Sequence, residues 1–216
     1  IWSGTTDLGV TLAASTGRVW FTETAPTAST RLLVVSDGTD NYNITVADGI
    51  TQIDEADDAQ YPTSNVGCIV NLNGYLIQAK DNGELWNTEP DAFTSWLGTA
   101  VEDADAVGDE LVAIALLRDQ LVVFGRYSVE FYFDNGTTPT PLLRISQNTM
   151  LIGMSHANTL AQAGDVLCWV AEGPAVGEGC RTVWLMEPGK VRPISTPVID
   201  RFITAEGTSI SSSSAW

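Results

Sequence analysis

The chain has 216 residues, of which 44% are hydrophobic, and it carries 27 acidic residues against 10 basic ones, giving a formal net charge of −17. This size and apolar content indicate a folded chain with a sizeable core and exclude extensive disorder. The longest apolar runs, such as LVAIALL from Leu111 to Leu117, are far too short to span a bilayer, so no membrane span is predicted. The basic residues are scattered singly and do not form the clusters that neutralise DNA phosphates, which argues against tight nucleic-acid binding.

Short alternating or apolar runs, separated by Gly, Asn, Asp and Pro, follow one another along the whole chain. Sustained helical spacing is almost absent, so the pattern indicates an all-β protein. Turn residues recur about every eight to twelve residues, as in a sandwich, a barrel or a propeller. In chain order, the predicted strands are VTLAAS, GRVWFTE, TRLLVVS, YNITV, GCIVNLN, GYLIQAK, GELWNTE, LVAIALL, DQLVVFGR, SVEFYFDN, PLLRIS, DVLCWVAE, CRTVWLM and KVRPIST.

A repeating unit decides between these architectures. In three units an apolar strand leads through a polar turn into a second strand, and a third strand carries an aromatic residue, at Trp86, Tyr132 and Trp184; an opening unit follows the same pattern with Trp20. The units recur at roughly 45-residue intervals, as four-stranded propeller blades would. The sequence therefore predicts β-propeller blades over residues 1–203, followed at 204–216 by a Ser/Thr-rich tail or the start of a further blade. Because the chain lacks an initiator Met, we expect it to be an incomplete part of a larger protein or a processed chain.

The cysteines Cys68, Cys168 and Cys180 are odd in number and widely spaced, which fits neither a disulfide framework nor a CxxC metal knuckle. Cys68 and Cys168 lie in apolar, strand-like contexts. We expect reduced thiols, with Cys68 and Cys168 as buried structural residues.

One hairpin has a distinctive turn. The stretch AKDNGELW, from Ala79 to Trp86, resembles the Asp-box hairpin of sialidase-like and other propellers, with Ala79 in place of the usual hydroxyl residue. By this resemblance Asp81 ties the turn through side-chain to backbone hydrogen bonds, Gly83 supplies a positive φ, and Trp86 anchors the hairpin between blades. We interpret Asp81 as a turn residue rather than a catalytic carboxylate.

Two acidic segments, ADGITQIDEADDAQYP and VEDADAVGDE, fall between the repeats and are interpreted as blade connections. The second begins like an EF-hand loop, but Val107 occupies a ligand position and no Glu closes the loop, so an EF-hand is excluded. We interpret both as solvated loops and predict no metal site, with a looser calcium site as the alternative. The candidates for an acidic loop or lumen are Asp54, Glu55, Asp57, Asp58, Asp103, Asp105, Asp109 and Glu110.

No catalytic constellation can be assembled from motifs. The single histidine, His156, has neither a GxSxG nucleophile elbow nor an HExxH partner. No motif singles out a carboxylate pair for glycoside hydrolysis, and the arginines are too dispersed for the substrate-binding cluster of a sialidase. Phosphate-binding glycine loops are absent as well. The sequence therefore predicts no enzyme, no catalytic residue and no cofactor.

A succession of motifs fills the second half of the chain, from Leu111 to Arg201, and extends more loosely back through NGYLIQAKDNGELWNTEPDAFTSW. The motifs are LVVFGRYSVEFYFDNG, PLLR, LCWV, CRTVW and RPISTPVID. The residues that carry the pattern are Phe124, Gly125, Ser128, Val129, Glu130, Gly136, Pro141, Arg144, Trp169, Val183, Trp184, Ile194, Ser195 and Thr196. This succession resembles the packaged-DNA stabilisation proteins of short-tailed phages, which are tail accessory or tail-nozzle components.

The resemblance implies a non-enzymatic β-propeller protein of the virion tail, assembled in the host cytoplasm. It implies a homo-oligomeric ring or nozzle below the portal, expected as a hexamer, that retains packaged DNA and conducts it during ejection. The implied partners are a portal adaptor, a tail needle or fibre, and DNA that passes without sequence-specific binding. We hypothesise that the acidic residues line the lumen, where they would let DNA slide without being trapped.

A second hypothesis is a carbohydrate-binding or glycoside-hydrolysing propeller. It rests on the Asp-box-like turn and on seven tryptophans that could stack on sugar rings. Most of these tryptophans occupy repeat-equivalent strand positions, where core packing is the more usual role.

Overall fold

Four antiparallel sheets contain most of the regular structure. The computed structural model describes residues 2–3, 6–7, 11–14, 17–27, 30–45, 49–173 and 180–205. The sheets follow one another along the chain as blades of a β-propeller, which confirms the predicted fold class.

The strands of each sheet are also consecutive in sequence. A short ribbon of β1 (Trp2–Ser3) and β2 (Thr6–Asp7) precedes the blades. The first blade contains β3 (Trp20–Thr27), β4 (Thr30–Ser36), β5 (Asn41–Thr45) and β6 (Gly49–Ile53). The second contains β7 (Asn65–Leu72), β8 (Tyr75–Lys80), β9 (Glu84–Glu89) and β10 (Ala92–Asp103).

The third and fourth blades follow the same order. The third contains β11 (Leu111–Leu117), β12 (Gln120–Gly125), β13 (Val129–Asp134) and β14 (Leu142–Arg144). The fourth contains β15 (Gly153–Met154), β16 (Ala161–Ala163), β17 (Val166–Glu172), β18 (Thr182–Glu187) and β19 (Lys190–Pro193). Both β15 and β16 pair with β17, so they act as two halves of one interrupted inner strand.

The hairpin between β7 and β8 shows how local sequence sets these sheets. Asn73 and Gly74 form the turn with φ values of 51° and 92°. Positive φ at both central residues is the two-residue turn whose twist matches antiparallel strands, and Asn-Gly is the pair that adopts it best. The turn therefore fixes the register of Leu72 opposite Tyr75.

The turns of each sheet alternate between two faces of the propeller because neighbouring strands are antiparallel. Strand β3 packs against β7, and β7 against β11, so the first strand of each blade lies at the centre. One face carries the turns at 37–40, 81–83 and 126–128 and the blade connections at 54–64 and 104–110. We call this the connection face; the turns β7–β8, β11–β12 and β18–β19 lie on the opposite face.

Two apolar clusters hold the blades together. The larger lies between the second, third and fourth blades and includes Ile77, Phe124 and Trp169. The smaller lies between the first and second blades and includes Leu76 and Trp96. The ring of Trp20 packs against both clusters and links them.

Several predicted boundaries were wrong. The segments interpreted as blade connections contribute their ends to outer strands, since β6 covers 49–53 and β10 runs to Asp103. Outer strands are partly exposed, so polar and acidic residues are tolerated there and the apolar signal is lost. The predicted strand VTLAAS is also wrong over 11–14, which form no strand; Val10 and Ser15 lie outside the described residues.

A helix that the sequence analysis did not predict, α1 (Pro197–Ala205), follows the fourth blade. Proline is favoured in the first turn of a helix, but nine residues are too few for a clear helical period. Thr204 Oγ1 accepts a hydrogen bond from the Arg181 N–H at 3.0 Å, which attaches the helix to the start of β18. In the described part of the chain, no helix has the length and apolar character needed to cross a membrane.

The cysteines differ in exposure, which gives a direct chemical test. Cys68 is buried, Cys168 is half-buried and Cys180 is exposed, and all three are free thiols. Burial raises the pKa of the Cys68 thiol to about 12 and also raises the pKa of Cys168. Because the thiolate is the reactive form, a thiol reagent at pH 8 should label Cys180 first and Cys68 only after unfolding.

The control for this prediction is a Cys180→Ser chain, which should lose the fast labelling phase and keep the slow ones. A fast phase that persists in this variant would contradict the described burial of Cys68 and Cys168.

Candidate functional site on the connection face

The two acidic segments come together on the connection face. Both lie on it because each connects the outer strand of one blade to the inner strand of the next. All the acidic residues that the sequence analysis proposed for a loop or lumen therefore lie at or near one end of the propeller. The interpretation of both segments as blade connections is consistent with this placement, because such connections share a face when every blade has four antiparallel strands.

The first connection, 54–64, is fixed by its own carboxylates. Asp54 Oδ1 accepts hydrogen bonds from the N–H groups of Ala56 at 2.7 Å and Asp57 at 3.3 Å. Asp58 Oδ2 accepts from the Trp96 N–H at 2.7 Å, which ties the loop to β10. Within the described residues, the carboxylates of Glu55 and Asp57 have no hydrogen-bond partner and are exposed.

A cavity of about 700 Å³ lies beside this connection and is lined by Asp40, Asp54, Glu55 and Tyr61. Burial, together with the charges of Asp54 and Asp37, raises the pKa of Asp40 above its ordinary value. The region therefore concentrates negative charge.

The second connection, 104–110, is held against the third blade at several points. Arg144 Nη1 donates to Asp105 Oδ1 at 2.8 Å. Asp109 accepts from the Ser128 hydroxyl at 2.8 Å and from the Tyr127 N–H. The Glu110 carbonyl accepts from the Arg126 N–H at 2.8 Å.

Glu130 is the buried centre of this attachment, with only 2% of its surface exposed. Its Oε1 accepts from the Ala106 N–H at 3.1 Å, and its Oε2 accepts from the Tyr132 hydroxyl at 2.9 Å. Arg144 Nη1 lies 3.5 Å from the same Oε2. Burial and the charge of Glu130 raise the pKa of Tyr132, which keeps its hydroxyl a donor. Two motif residues, Glu130 and Arg144, thus clamp the acidic connection.

Steric contact explains why the motif has a glycine at Gly125. A Cβ at Gly125 would lie 2.5 Å from the Asp109 carboxylate, so a side chain there would displace Asp109 from its hydrogen bonds with Tyr127 and Ser128. The Gly125 N–H donates to the Ser128 carbonyl at 2.9 Å and closes the turn between β12 and β13. The Phe-Gly step of the motif therefore makes room for the acidic connection.

The motif aromatics join the third blade to the fourth. Phe124 and Trp169 are fully buried and meet edge to face, with ring centroids 5.1 Å apart. Trp169 Nε1 donates to the Gly153 carbonyl at 3.2 Å. Trp184 lies opposite Trp169 in the β17–β18 register and packs on the same core.

Ser195 and Thr196 position helix α1. The Ser195 hydroxyl accepts from the Val183 N–H at 2.9 Å and donates to the Asp200 carboxylate. The Thr196 carbonyl accepts from the Asp200 N–H at 2.9 Å, the first hydrogen bond of the helix. The end of the motif thus couples β18 to the helix.

Residues Asp81, Asn82 and Gly83 form the turn between β8 and β9, with φ of 103° at Gly83. The side-chain bond expected from Asp81 is made instead by Asn82, whose Oδ1 accepts from the Glu84 N–H at 3.2 Å. Asn82 lies one residue closer to that donor than Asp81 does. The Asp81 carbonyl accepts from the Leu111 N–H at 3.1 Å, so this turn contacts the third blade through its backbone.

Trp86 packs against the smaller apolar cluster, and its Nε1 donates to Glu84 at 2.9 Å. In the described ranges, no group of three or more His, Cys, Asp or Glu side chains could hold a metal ion.

The roles of the Tyr132 hydroxyl and of the Ala106 N–H were not predicted from the sequence. Glu130 and Tyr132 are two residues apart on one strand and so share a face. That spacing in VEFYFD could have indicated that the two side chains meet.

Comparison with known protein families decides the assignment. A family model described as Bacteriophage P22 Gp10, beta-propeller, matches residues 4–213. The chain belongs to this family. Membership confirms the family resemblance read from Phe124 to Thr196, and it agrees with the propeller architecture of the four sheets.

The chain is also similar in sequence to a tail protein of a Salmonella phage. Tail hub protein gp10 of Salmonella phage P22 is 25% identical over 154 residues, which are 67% of this chain and 31% of that protein. The chain therefore spans less than a third of the length of this relative.

Solved structures with similar folds include Hsv2 of Kluyvelomyces marxianus, with a TM-score of 0.43 and 10% identity over 76% of this chain and 44% of that chain. A chain of a mitotic checkpoint complex gives a TM-score of 0.48 and 14% identity over 88% of this chain and 60% of that chain. The computationally designed Ika4 protein has a TM-score of 0.42 and 11% identity over 88% of this chain and 99% of that chain. Similarities this low add nothing to the fold assignment, which rests on the sheets and the family.

Proposed function

We propose that the chain is a propeller region of a structural phage-tail protein, located in the virion tail and not enzymatic. The observation that carries this proposal is the family match over residues 4–213. The name of the P22 relative, tail hub protein, supports a role as a structural tail component.

The finer proposal is a homo-oligomeric ring, expected as a hexamer, that sits below the portal, retains packaged DNA and conducts it during ejection. Its partners would be a portal adaptor and a tail needle or fibre, and it would assemble in the host cytoplasm. The acidic connection face supports the conduit role, because like charge keeps DNA from binding to a wall it must pass. In this proposal the connection face borders the DNA path.

The described tryptophans do not favour the sugar-binding alternative. Trp96 and Trp169 are buried, and Trp20, Trp86 and Trp184 pack against the two apolar clusters. A stacking platform for sugars would need an exposed ring face.

The first test images the complete gene product by electron microscopy, alone and mixed with the neighbouring tail proteins. Rings with an opening of duplex-DNA width are the expected result. A compact monomer in both preparations would contradict the ring.

A matched pair of charge variants tests the DNA path. The first variant replaces Glu55, Asp57 and Asp81 with lysine on the connection face, where these carboxylates are exposed and make no hydrogen bond within the described residues. The control replaces Glu89, Asp119 and Glu187 with lysine on the opposite face, so both variants change the net charge equally. At low salt, DNA should bind the first variant far more than the control, since clustered lysines neutralise phosphates.

The same two variants are then compared in virions. Phage carrying the connection-face variant should eject DNA more slowly than phage carrying the control. Equal ejection rates would contradict the proposed path.

A further inference from the structure

A cavity of about 500 Å³ lies where the four blades meet on the connection face. We call it the central pocket. Its walls come from the starts of the inner strands, at Trp20, Val66 and Leu111, from the turn residue Arg126, and from the segment Ser155–Asn158 between β15 and β16. Because every blade contributes, the pocket exists only in the assembled propeller.

The central pocket contains two arginines although the protein as a whole is strongly acidic. Arg18 and Arg126 line it, together with the imidazole of His156. Arg18 lies over the Trp20 ring, with its Cζ 4.1 Å from the ring centroid. Arg18 Nη1 donates to the Leu160 carbonyl at 2.9 Å, and the Ala157 carbonyl lies 3.5 Å from the same nitrogen. Within the described residues, Arg18 Nε and Nη2 have no acceptor.

Arg126 is held in a similar way. Its Nη1 donates to the Ser155 carbonyl at 3.1 Å, and its Nη2 lies 3.6 Å from the Glu172 carboxylate. Its Nε has no acceptor in the part of the chain that the structure describes. A guanidinium fixed at two nitrogens and free at a third is well placed to donate to an oxyanion.

His156 adds a neutral donor. Its Nδ1 accepts from the Asn158 N–H at 3.1 Å, so the neutral ring carries its proton on Nε2. Burial and the nearby charge of Arg126 lower the pKa of His156, which keeps the ring neutral at pH 7. Nε2 therefore donates and does not accept.

Asp37 also lines the pocket, and its carboxylate already has hydrogen-bond donors. Asp37 accepts from the N–H groups of Thr39 and Asp40, each at 2.9 Å, and from the Ala14 N–H at 3.0 Å. Its Oδ2 also accepts from the Tyr42 hydroxyl at 3.2 Å.

Glu172 is shared between Arg126 and Arg181, whose nitrogens lie 3.6 and 3.3 Å from it. Within the described residues, the guanidinium groups of Arg18 and Arg126 therefore keep N–H groups without an acceptor. The nearby carboxylates of Asp37 and Glu172, in contrast, already have partners.

We propose that the central pocket binds a small oxyanion, a phosphate or carboxylate group, between Arg18, Arg126 and His156. Charged donors in a partly enclosed site favour such a group over water. The volume accommodates a phosphate ion or the end of an acidic side chain, and it excludes duplex DNA. This proposed anion binding does not depend on the proposed role of the protein in the phage tail.

The test titrates inorganic phosphate and, separately, citrate into the protein at pH 7 and low ionic strength. Calorimetry should give saturable binding that weakens roughly tenfold or more in Arg18→Gln and Arg126→Gln, because each removes a charged hydrogen bond. The control is Arg118→Gln, an exposed arginine on the opposite face paired with Asp165 at 2.9 Å, which should leave the affinity unchanged. Binding of phosphate alone or citrate alone would identify which oxyanion the site accepts.

A second measurement does not depend on the variants folding. His156 is the single histidine, so its ring gives one set of NMR signals. These signals should shift during the titration and saturate with the calorimetric affinity. Absence of saturable binding of both anions, unshifted ring signals, or equal weakening in Arg118→Gln would overturn the proposal.

Discussion

Replacing Trp169 with alanine is expected to lower the free energy of unfolding by about 3–5 kcal/mol. Trp169 is fully buried between the third and fourth blades, where it meets Phe124 edge to face and donates to the Gly153 carbonyl. The substitution opens a cavity and removes both interactions. The backbone beside this ring is closely packed, because a Cβ at Gly153 would overlap the Arg126 backbone.

Urea unfolding measures this effect, and two further variants define it. Trp169→Phe keeps most of the aromatic ring and loses the Nε1 donor, so it should lower the free energy of unfolding by about 1–2 kcal/mol. This variant should remain folded even if the alanine variant does not. Phe21→Ala is the control, because that ring is 64% exposed and should contribute less than about 0.5 kcal/mol. A loss below about 1 kcal/mol for Trp169→Ala would contradict the described packing.

Replacing Glu130 with alanine is expected to lower the free energy of unfolding by about 2–4 kcal/mol. The Ala106 N–H and the Tyr132 hydroxyl lose their acceptor, and Arg144 loses one of its two carboxylate neighbours. Glu130→Gln keeps acceptor oxygen and should cost less. The control is Glu23→Gln, which removes an exposed ion pair with Arg31 worth less than about 1 kcal/mol.

Limited proteolysis separates loss of the clamp from a general loss of stability. Glu130→Ala should release the 104–110 connection, so a glutamyl protease should cleave at Glu110 faster than in the unaltered chain under conditions where both are folded. Trp169→Ala weakens a different contact and should leave cleavage at this connection nearly unchanged. Equal acceleration in both variants would indicate general unfolding and contradict the clamp.

The architecture was predictable because its signals are local. Polar turns such as Asn73-Gly74 fix hairpins. The apolar runs of β11 and β12 mark strands of the third blade that are buried against its neighbours. The motif from Phe124 to Thr196 identified the family because its residues are set by close packing, as at Gly125 and Trp169. The outer strands β6 and β10 and helix α1 escaped prediction because exposed edges and short helices carry weak periodic signals.

The sequence by itself determined an all-β propeller of four repeats, its family, and an acidic surface poorly suited to binding DNA phosphates. Tertiary structure alone decided where those charges lie. Antiparallel pairing places both acidic connections on one face. Folding also brings the Glu130 carboxylate on β13 within hydrogen-bond distance of the Ala106 N–H in the second connection. It also gathers Arg18, Arg126 and His156 around one pocket. Residues so far apart in the chain become neighbours only through the packing of the blades, which no local pattern encodes.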